Sequence, residues 1–386
     1  MKPNVLFLAD PQSYTHDYKW LIGLCDFVNC YVIPQNHQYK NLNNCEIIEL
    51  QKRNIKILQP IRPFSVLRFY NTIIDLYYIL KQINKYNIQI LHIHYAEPLA
   101  LWAVFKSIIN KPILLTSRGT DVLKAIPIVF TKNTILSFIL RILYKISFSQ
   151  IDQITSTSLS QKETIEKYFN LKGNIEIVRT GVDFGISKIE HIRNPIINKL
   201  KEKKYWLFPR TMKSLYNHEL SLTTLGILPE HITKNRLFIF IDRNSKDTEY
   251  VNMIEAMMQK HENLDFLFLN LVDHKDMIML IENAELIINT NKSDGSSVTV
   301  MEAMRLKKKI ILPPLEYDEE IFGGVLKFKE FTPNALSQAI YKILNGHYTS
   351  DILKHNYNIV TSNCDRRNEM KKVRNLYFNF IQNRNY

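Results

Sequence analysis

Short apolar runs alternate with longer stretches of helical periodicity almost from one end of the chain to the other. Runs that are apolar at nearly every position suit strands buried on both faces, and their alternation with helices is the pattern of parallel sheets built from βα units. In the first half the predicted strands cover residues 4–9, 28–33, 55–58, 88–94, 113–117, 153–156 and 175–179, with helices notably over 64–86, 133–147 and 160–169. The pattern breaks over 187–204, which holds Pro195, several lysines and no strand, and reads as a linker. A second series follows, with strands over 205–208, 237–241, 266–269, 286–289, 309–312 and 326–328 and helices over 248–261, 275–283, 297–306 and 334–344. Pro333 before Asn334 marks a helix start and Gly346 a stop. A last helix over 366–381 is arginine-rich and aromatic.

The chain is therefore α/β, with a first Rossmann-like domain over 1–186, the linker over 187–204 and a second over 205–362. Its 386 residues fit two cores better than one. With 46% hydrophobic and 23% charged residues it is not a disordered chain. The apolar start at 4–9 is too short for a secretory leader and ends at Asp10. No stretch long enough to span a bilayer is free of charge, so a cytoplasmic protein is expected. Cys25, Cys30, Cys45 and Cys364 lack metal-site spacing and read as reduced thiols. A net charge of +13 points to an anionic partner: nucleotide phosphate, nucleic acid or acidic membrane. The segment 133–145 is very apolar, with Arg141 and Lys145 one turn apart; it either packs on the core or lies on an anionic bilayer.

The sharpest local signal is Asn291-Lys292-Ser293-Asp294-Gly295-Ser296-Ser297-Val298-Thr299-Val300-Met301-Glu302-Ala303-Met304, which follows a predicted strand and opens a helix. The first N–H groups of a helix have no partner within it and sit at its positive end, so this turn is suited to a diphosphate. The same residues read equally well as a serine cap with two solvated carboxylates.

The spacing from Asp294 to Glu302 resembles the E-x(7)-E element of retaining GT-B glycosyltransferases of the family 4 type (group 1), with Asp in place of the first Glu. The resemblance continues, in order, in His92-Ile93-His94, in Ser117-Arg118-Gly119-Thr120-Asp121, in Arg179-Thr180-Gly181-Val182-Asp183, and in Phe208-Pro209-Arg210-Thr211-Met212-Lys213. It implies the GT-B fold, two Rossmann-like domains whose parallel sheets face each other across a cleft, with a C-terminal helix over 363–386 crossing back to the first domain. It implies a metal-independent, hexosyltransferase-type enzyme with a nucleotide-sugar as co-substrate and no further cofactor. No D-x-D metal motif occurs in the chain. By the same resemblance Arg210 and Lys213 neutralise the donor diphosphate; Gly295, Ser296, Ser297, Val298 and Thr299 offer it donors; Asp294 meets hydroxyls of the sugar; and Glu302 meets the ribose. Asp294, Arg210, Lys213 and Asp121 form the expected catalytic set.

His16, His94, Tyr95, Arg118 and Gly119 form the expected acceptor side. Arg118 stands where the family often has His before Gly, and it cannot act as a base because it stays protonated; it is left to bind an anionic acceptor or the donor phosphate. The expected partners are a nucleotide-sugar, a glycan or lipid-linked acceptor of cell-surface polysaccharide or glycoconjugate synthesis, and the inner face of an anionic membrane. Three other readings compete: a degenerate GT-B protein that binds a partner without catalysis, a relative that epimerises a nucleotide-sugar, and a nucleic-acid-binding protein. The low glycine content, 10 residues in all, together with Arg118 and Asp294, is the support for the degenerate reading. Charge alone suggests the last, and no nucleic-acid motif accompanies it.

Overall fold

The computed structural model describes residues 2–11, 15–35, 44–171, 173–184 and 195–382. They form two units, one within Met1–Thr180 and Arg366–Tyr386, the other within Gly181–Asp365. Residues 187–194 of the expected linker lie outside the described residues. The rest of it begins with Pro195–Lys199 and Leu200–Glu202, two short helical pieces whose Ile197 and Leu200 are buried in the second unit.

The first unit holds β1 (Asn4–Leu8), β2 (Asn29–Ile33), β3 (Lys56–Ile57), β4 (Ile90–His94), β5 (Ile113–Thr116), β6 (Gln153–Ser156) and β7 (Ile175–Ile177). They make one parallel sheet in the order β3-β2-β1-β4-β5-β6-β7. The second holds β8 (Tyr205–Phe208), β9 (Leu237–Phe240), β10 (Asp265–Phe268), β11 (Leu286–Ile288), β12 (Ile310–Leu312) and β13 (Leu326–Lys327), parallel in the order β10-β9-β8-β11-β12-β13. Both orders reverse direction once, between β1 and β4 and between β8 and β11, and such switch points are where open α/β sheets bind ligands.

Successive strand residues point to opposite faces, so each apolar strand feeds two cores. Leu6, Leu8, Leu91 and Ile93 pack with Leu76, Ile79, Ile83, Tyr144 and Phe148 on one face. Val5, Phe7 and Ile90 pack on the other with Trp20, Leu24 and, from the C-terminal helix Arg366–Gln382, Met370, Val373 and Tyr377. In the second unit Tyr205 and Leu207 go to one core and Trp206 and Phe208 to the other. Each such side chain, fully buried, contributes about 1.5–3 kcal/mol. Cys25, Cys30 and Cys364 are buried and joined by no disulfide; the side chain of Cys45 lies outside the described residues.

Glycine is scarce, and asparagine takes its place at tight turns. Asn54, Asn87, Asn110, Asn170, Asn217 and Asn235 all have positive φ, a conformation the short Asn side chain tolerates through local hydrogen bonds. Asn110 and Asn170 end helices in this way. The low glycine count therefore does not argue for a degenerate fold. At the helix Pro333–Leu344, Thr332 supplies the cap by accepting from the Ala335 N–H, and Gly346 follows with φ of +89°.

His92 lies on the same face as Phe7, inside the core, and must be hydrogen-bonded there. Its Nδ1 is 2.6 Å from the Tyr377 hydroxyl and its Nε2 2.7 Å from Thr116 Oγ1, which is 2.6 Å from Thr155 Oγ1. Burial first, then His94 and Arg118, push its pKa well below the usual range, so the ring is neutral. This contact ties the C-terminal helix to the centre of the first sheet. Replacing Tyr377 by Phe strands one buried imidazole nitrogen and is expected to cost about 1–3 kcal/mol. Urea unfolding of the full chain reads this, and an unchanged midpoint would show that the bond contributes nothing.

Candidate functional site

At the switch point of the first sheet, three side chains meet from three chain segments. Asp17 comes from the first turn of the helix Thr15–Leu24, His94 from the end of β4, and Arg118 from the loop after β5. Arg118 Nη2 donates to Asp17 Oδ1 at 2.7 Å and lies 2.6 Å from His94 Nδ1, which is itself 3.0 Å from Asp17 Oδ1. The other Asp17 oxygen accepts from the Asp10 N–H at 2.9 Å. Arg118 stacks on Trp20, its guanidinium carbon 4.6 Å from the ring centroid, a cation–π contact strengthened by burial.

Burial alone would raise the Asp17 carboxyl, but Arg118 and His94 outweigh it and hold Asp17 well below the usual carboxylate range. For His94, burial and then Arg118 push the pKa down to about 4 against a smaller opposing effect of Asp17. His94 is therefore neutral near pH 7. Its Nδ1 faces both Arg118 and Asp17, while its Nε2 is buried and without a partner among the described residues, as are Nε and Nη1 of Arg118. His94 and Asp17 line a pocket of about 360 Å³ together with Asp10, Gln35, Tyr95, Glu97, Pro98 and Leu99.

Asp121 holds this corner together. Its carboxylate accepts from the N–H groups of Ala96 at 2.6 Å, Gly119 at 2.8 Å and Arg118 at 3.1 Å, joining the loops that follow β4 and β5. Burial raises its pKa, and these bonds partly offset the rise. Asp121 thus positions Arg118. Gly119 has φ of +129°, a conformation open to glycine, and this is what its position requires. Tyr95 has φ of +83°, a strained conformation costing about 1–3 kcal/mol. Its N–H donates to the Thr116 carbonyl and its hydroxyl is 2.9 Å from Thr120 Oγ1.

His16, expected on the acceptor side, is exposed, with Nδ1 3.4 Å from Thr180 Oγ1. Its neighbour Asp17 turns inward instead. Ser13 and Tyr14 of that loop lie outside the described residues.

At the switch point of the second sheet, Arg210 follows β8 and Asp294 follows β11. Arg210 Nη2 donates to Asp294 Oδ2 and, at 3.0 Å, to Ser297 Oγ. Asn291 Nδ2 donates to the same Asp294 oxygen at 2.9 Å, and the Gly295 N–H donates to the other at 3.0 Å. Burial lowers the Arg210 pKa, but Asp294 more than restores it, so the guanidinium stays charged. Ser297 precedes the helix Val298–Arg305, yet its hydroxyl makes no cap bond and serves Arg210 instead. The reading of this turn as a serine cap is corrected on that point. Ser296 Oγ and Arg210 Nε are buried and unpartnered among the described residues. Val298 is buried and Thr299 half-buried. Lys213 is exposed and its side chain makes no hydrogen bond or ion pair among the described residues, so the structure brings Arg210, Asp294 and Ser297 together without it.

Glu302 is not a solvated helix acid: it is 2% exposed, and His274 Nε2 lies 2.7 Å from its Oε1. His274 opens the helix His274–Asn283, capped by Asp273, after β10. Its only sequence signal is an Asp-His pair at a helix start beyond a strand. A brace missed in the sequence holds the Arg210 loop. His218 Nε2 donates to the Thr211 carbonyl at 3.1 Å, its N–H donates to the Tyr250 hydroxyl at 2.8 Å, Tyr250 donates to Glu219, and Lys292 Nζ donates to Glu219 at 3.1 Å.

The depressed His94 pKa carries a pH dependence. Unfolded, the ring takes a proton near 6.5; folded, near 4. The unfolded state therefore binds more protons between these values, and stability falls as pH drops through that window. His218, also pushed down to about 4 by burial, adds to the same fall. Urea midpoints between about pH 7 and 4.5 are expected to decline less steeply in His94→Asn than in the wild type. Equal slopes would mean that His94 is not held neutral by the fold.

The comparisons agree with this architecture. Residues 4–158 match the model of a family described as glycosyl transferase 4-like. No curated protein matches the chain. Among solved structures, a glycosyltransferase from Rickettsia africae is similar at 16% identity with a TM-score of 0.76, covering 99% of each chain. HepE from Anabaena, in complex with UDP-glucose, is similar at 11% identity and TM-score 0.70, covering 96% of this chain and 98% of that one. Sucrose-phosphate synthase from Thermosynechococcus elongatus is similar at 12% identity and TM-score 0.72, covering 99% and 100%. The glycosyl transferase 4-like match runs across β1 to β6, within the first unit, and the two Rossmann-like parallel sheets together with these likenesses give the chain the GT-B fold.

Proposed function

We propose that the chain is a retaining glycosyltransferase of the hexosyltransferase type. In this reading it moves a sugar from a nucleotide-sugar to a glycan or lipid-linked acceptor during cell-surface polysaccharide or glycoconjugate synthesis, in the cytoplasm at the inner face of the membrane. The observation that carries the reading is Arg210, held charged by Asp294 and Ser297 at the opening of the helix Val298–Arg305.

Breaking a sugar–phosphate bond leaves negative charge on the diphosphate. A preorganised guanidinium and unpaired helix-start N–H groups stabilise that charge more in the transition state than before it. Arg210 and the turn 295–299 fill this role, with the exposed Lys213 free to close on the phosphates. Asp294 meets the sugar hydroxyls, and Glu302, steadied by His274, meets the ribose. These cations and N–H groups meet the leaving-group charge, so the reaction as proposed needs no metal. The acceptor hydroxyl attacks from the side that the diphosphate leaves, and the leaving phosphate oxygen takes its proton. No protein nucleophile is required. In the first unit the pocket beside His94 and Tyr95 holds the acceptor. Arg118, expected to bind an anion, is committed by Nη2 to Asp17 and His94, so its part is to keep Asp17 ionised and His94 neutral.

The test is thermal unfolding against UDP, UDP-glucose and other nucleotides and nucleotide-sugars. Uridine nucleotides come first because HepE carries UDP or UDP-glucose in its solved complexes. A donor at about 100 times its Kd adds roughly 2.7 kcal/mol, a shift of a few degrees for a chain of this size. The shift is expected from one nucleotide series and is expected to vanish in Arg210→Ala and Glu302→Ala. No shift from any nucleotide would favour the degenerate, partner-binding reading instead.

A further inference from the structure

We infer that the outward face of the helix Ile135–Gln150 is a docking surface for an anionic lipid bilayer. The helix is apolar on its outward face as well as on its core face. Ser137 and Ser147 face the core beside Tyr144 and Phe148, while Ile135, Phe138, Ile139, Ile142 and Ile146 face solvent. Ile135 is 84% exposed and Phe138 60%. The inward serines let the helix lie close on the buried segment Leu99–Phe105. Tyr144 and Phe148 fill the core beside the two serines, and five further large apolar side chains of the same helix are left outside. Isolated exposed apolar side chains are ordinary; a stripe of them along one helix marks an interaction site. Of the two readings that the sequence allowed for this segment, the core-facing one accounts for only half of the helix.

Charge selects the occupant. Residues 126–150 contain no acid, and Lys132, Arg141 and Lys145 lie along the segment. Lys132 and Lys145 are exposed and make no ion pair among the described residues. A second strip belongs to the same helical layer of the first unit, because the helix Phe69–Lys85 buries Leu76, Ile79 and Ile83 in the same core as Tyr144 and Phe148. It exposes Leu67, Tyr70, Ile74 and Tyr77, then Lys81 and Lys85. Its one acid, Asp75, is buried and accepts from Arg62 at 2.9 Å. Apolar stripes with interfacial tyrosines and cationic neighbours, and without exposed acids, are complementary to a negatively charged lipid surface. A protein partner would have to match an apolar stripe with acids placed only at its edges, whereas an anionic bilayer offers apolar depth and negative charge everywhere. Among the described residues no helix is long and apolar enough to cross a membrane, so the surface lies on the bilayer by its side.

The inference deepens the proposed reading of a membrane-side acceptor and rests on it for its purpose alone. The full chain is co-sedimented with vesicles of phosphatidylcholine alone or mixed with phosphatidylglycerol, at low and high salt. The wild type is expected to pellet with the anionic vesicles and to be released by salt, which screens the lysines. The double variant Ile139→Glu/Ile142→Glu is expected to lose about tenfold or more in vesicle affinity, and Lys132→Glu/Lys145→Glu to lose several-fold on anionic vesicles only. Circular dichroism and the nucleotide-dependent thermal shift report whether the variants are folded; Phe138→Ser/Ile142→Ser replaces the acidic pair if they are not. Three results would overturn the inference: no binding of wild type to anionic vesicles, unchanged binding in the folded variants, or self-association of the wild type that the apolar substitutions abolish. Vesicle binding without a nucleotide shift, or the reverse, separates failure of this surface from failure of the transferase reading.

Discussion

A parallel sheet covered on both faces leaves polar chemistry no place except the ends of its strands. That constraint organises this protein twice. In each unit the strands are almost wholly apolar and feed two cores, so the groups able to bind a ligand collect where the chain leaves the sheet. The strand orders, alike but for the extra edge strand β7, place the reversal at β1/β4 in one unit and β8/β11 in the other. His94 and Arg118 gather at the first, and Arg210 and Asp294 at the second. His92 shows what the rule costs when broken: a polar ring within a strand needs hydroxyl neighbours on both nitrogens, and the C-terminal helix supplies one of them.

The two sites solve the problem of buried charge in opposite ways. In the first, Asp17 is the charge to be kept, and Arg118 holds it ionised while helping to keep His94 neutral. In the second, Arg210 is the charge to be kept, and Asp294 and Ser297 hold it. Removing one partner of such a pair leaves an uncompensated charge, a change worth about 3–5 kcal/mol where burial is complete. Each arginine nevertheless keeps nitrogens without a partner, so neither site is internally saturated. Arg118, which cannot replace a histidine base, is used as a counter-ion, and the neighbouring strand supplies the neutral imidazole.

Much of the fold was legible in the sequence. Each predicted apolar run contains a strand, because a strand buried on both faces has nothing else to be made of. Several helices were not singled out, two of them for opposite reasons. His218–Ile227 is buried on most sides and shows no stripe, and Ser350–Asn363 is polar on most sides, with Asn356 and Val360 as its buried residues. The turn from Asp294 to Glu302 was visible as chemistry because its parts lie within a few residues of each other. Asp17 was passed over beside His16: adjacent residues at a helix start point different ways, and only the packing says that Asp17 turns inward.

The sequence by itself determined the two parallel sheets, the small-residue turn and helix start after β11 and the basic character of the whole chain, since these follow from local pattern and composition. The tertiary structure decided the pairings: Asp17 with Arg118, Glu302 with His274, Tyr377 with His92, and Ile142 with solvent rather than core. Those partners are 101, 28 and 285 residues apart, and the exposure of one face of a helix depends on what covers it. Local periodicity carries no information over such separations, whereas burial in a closed core makes each of these contacts obligatory.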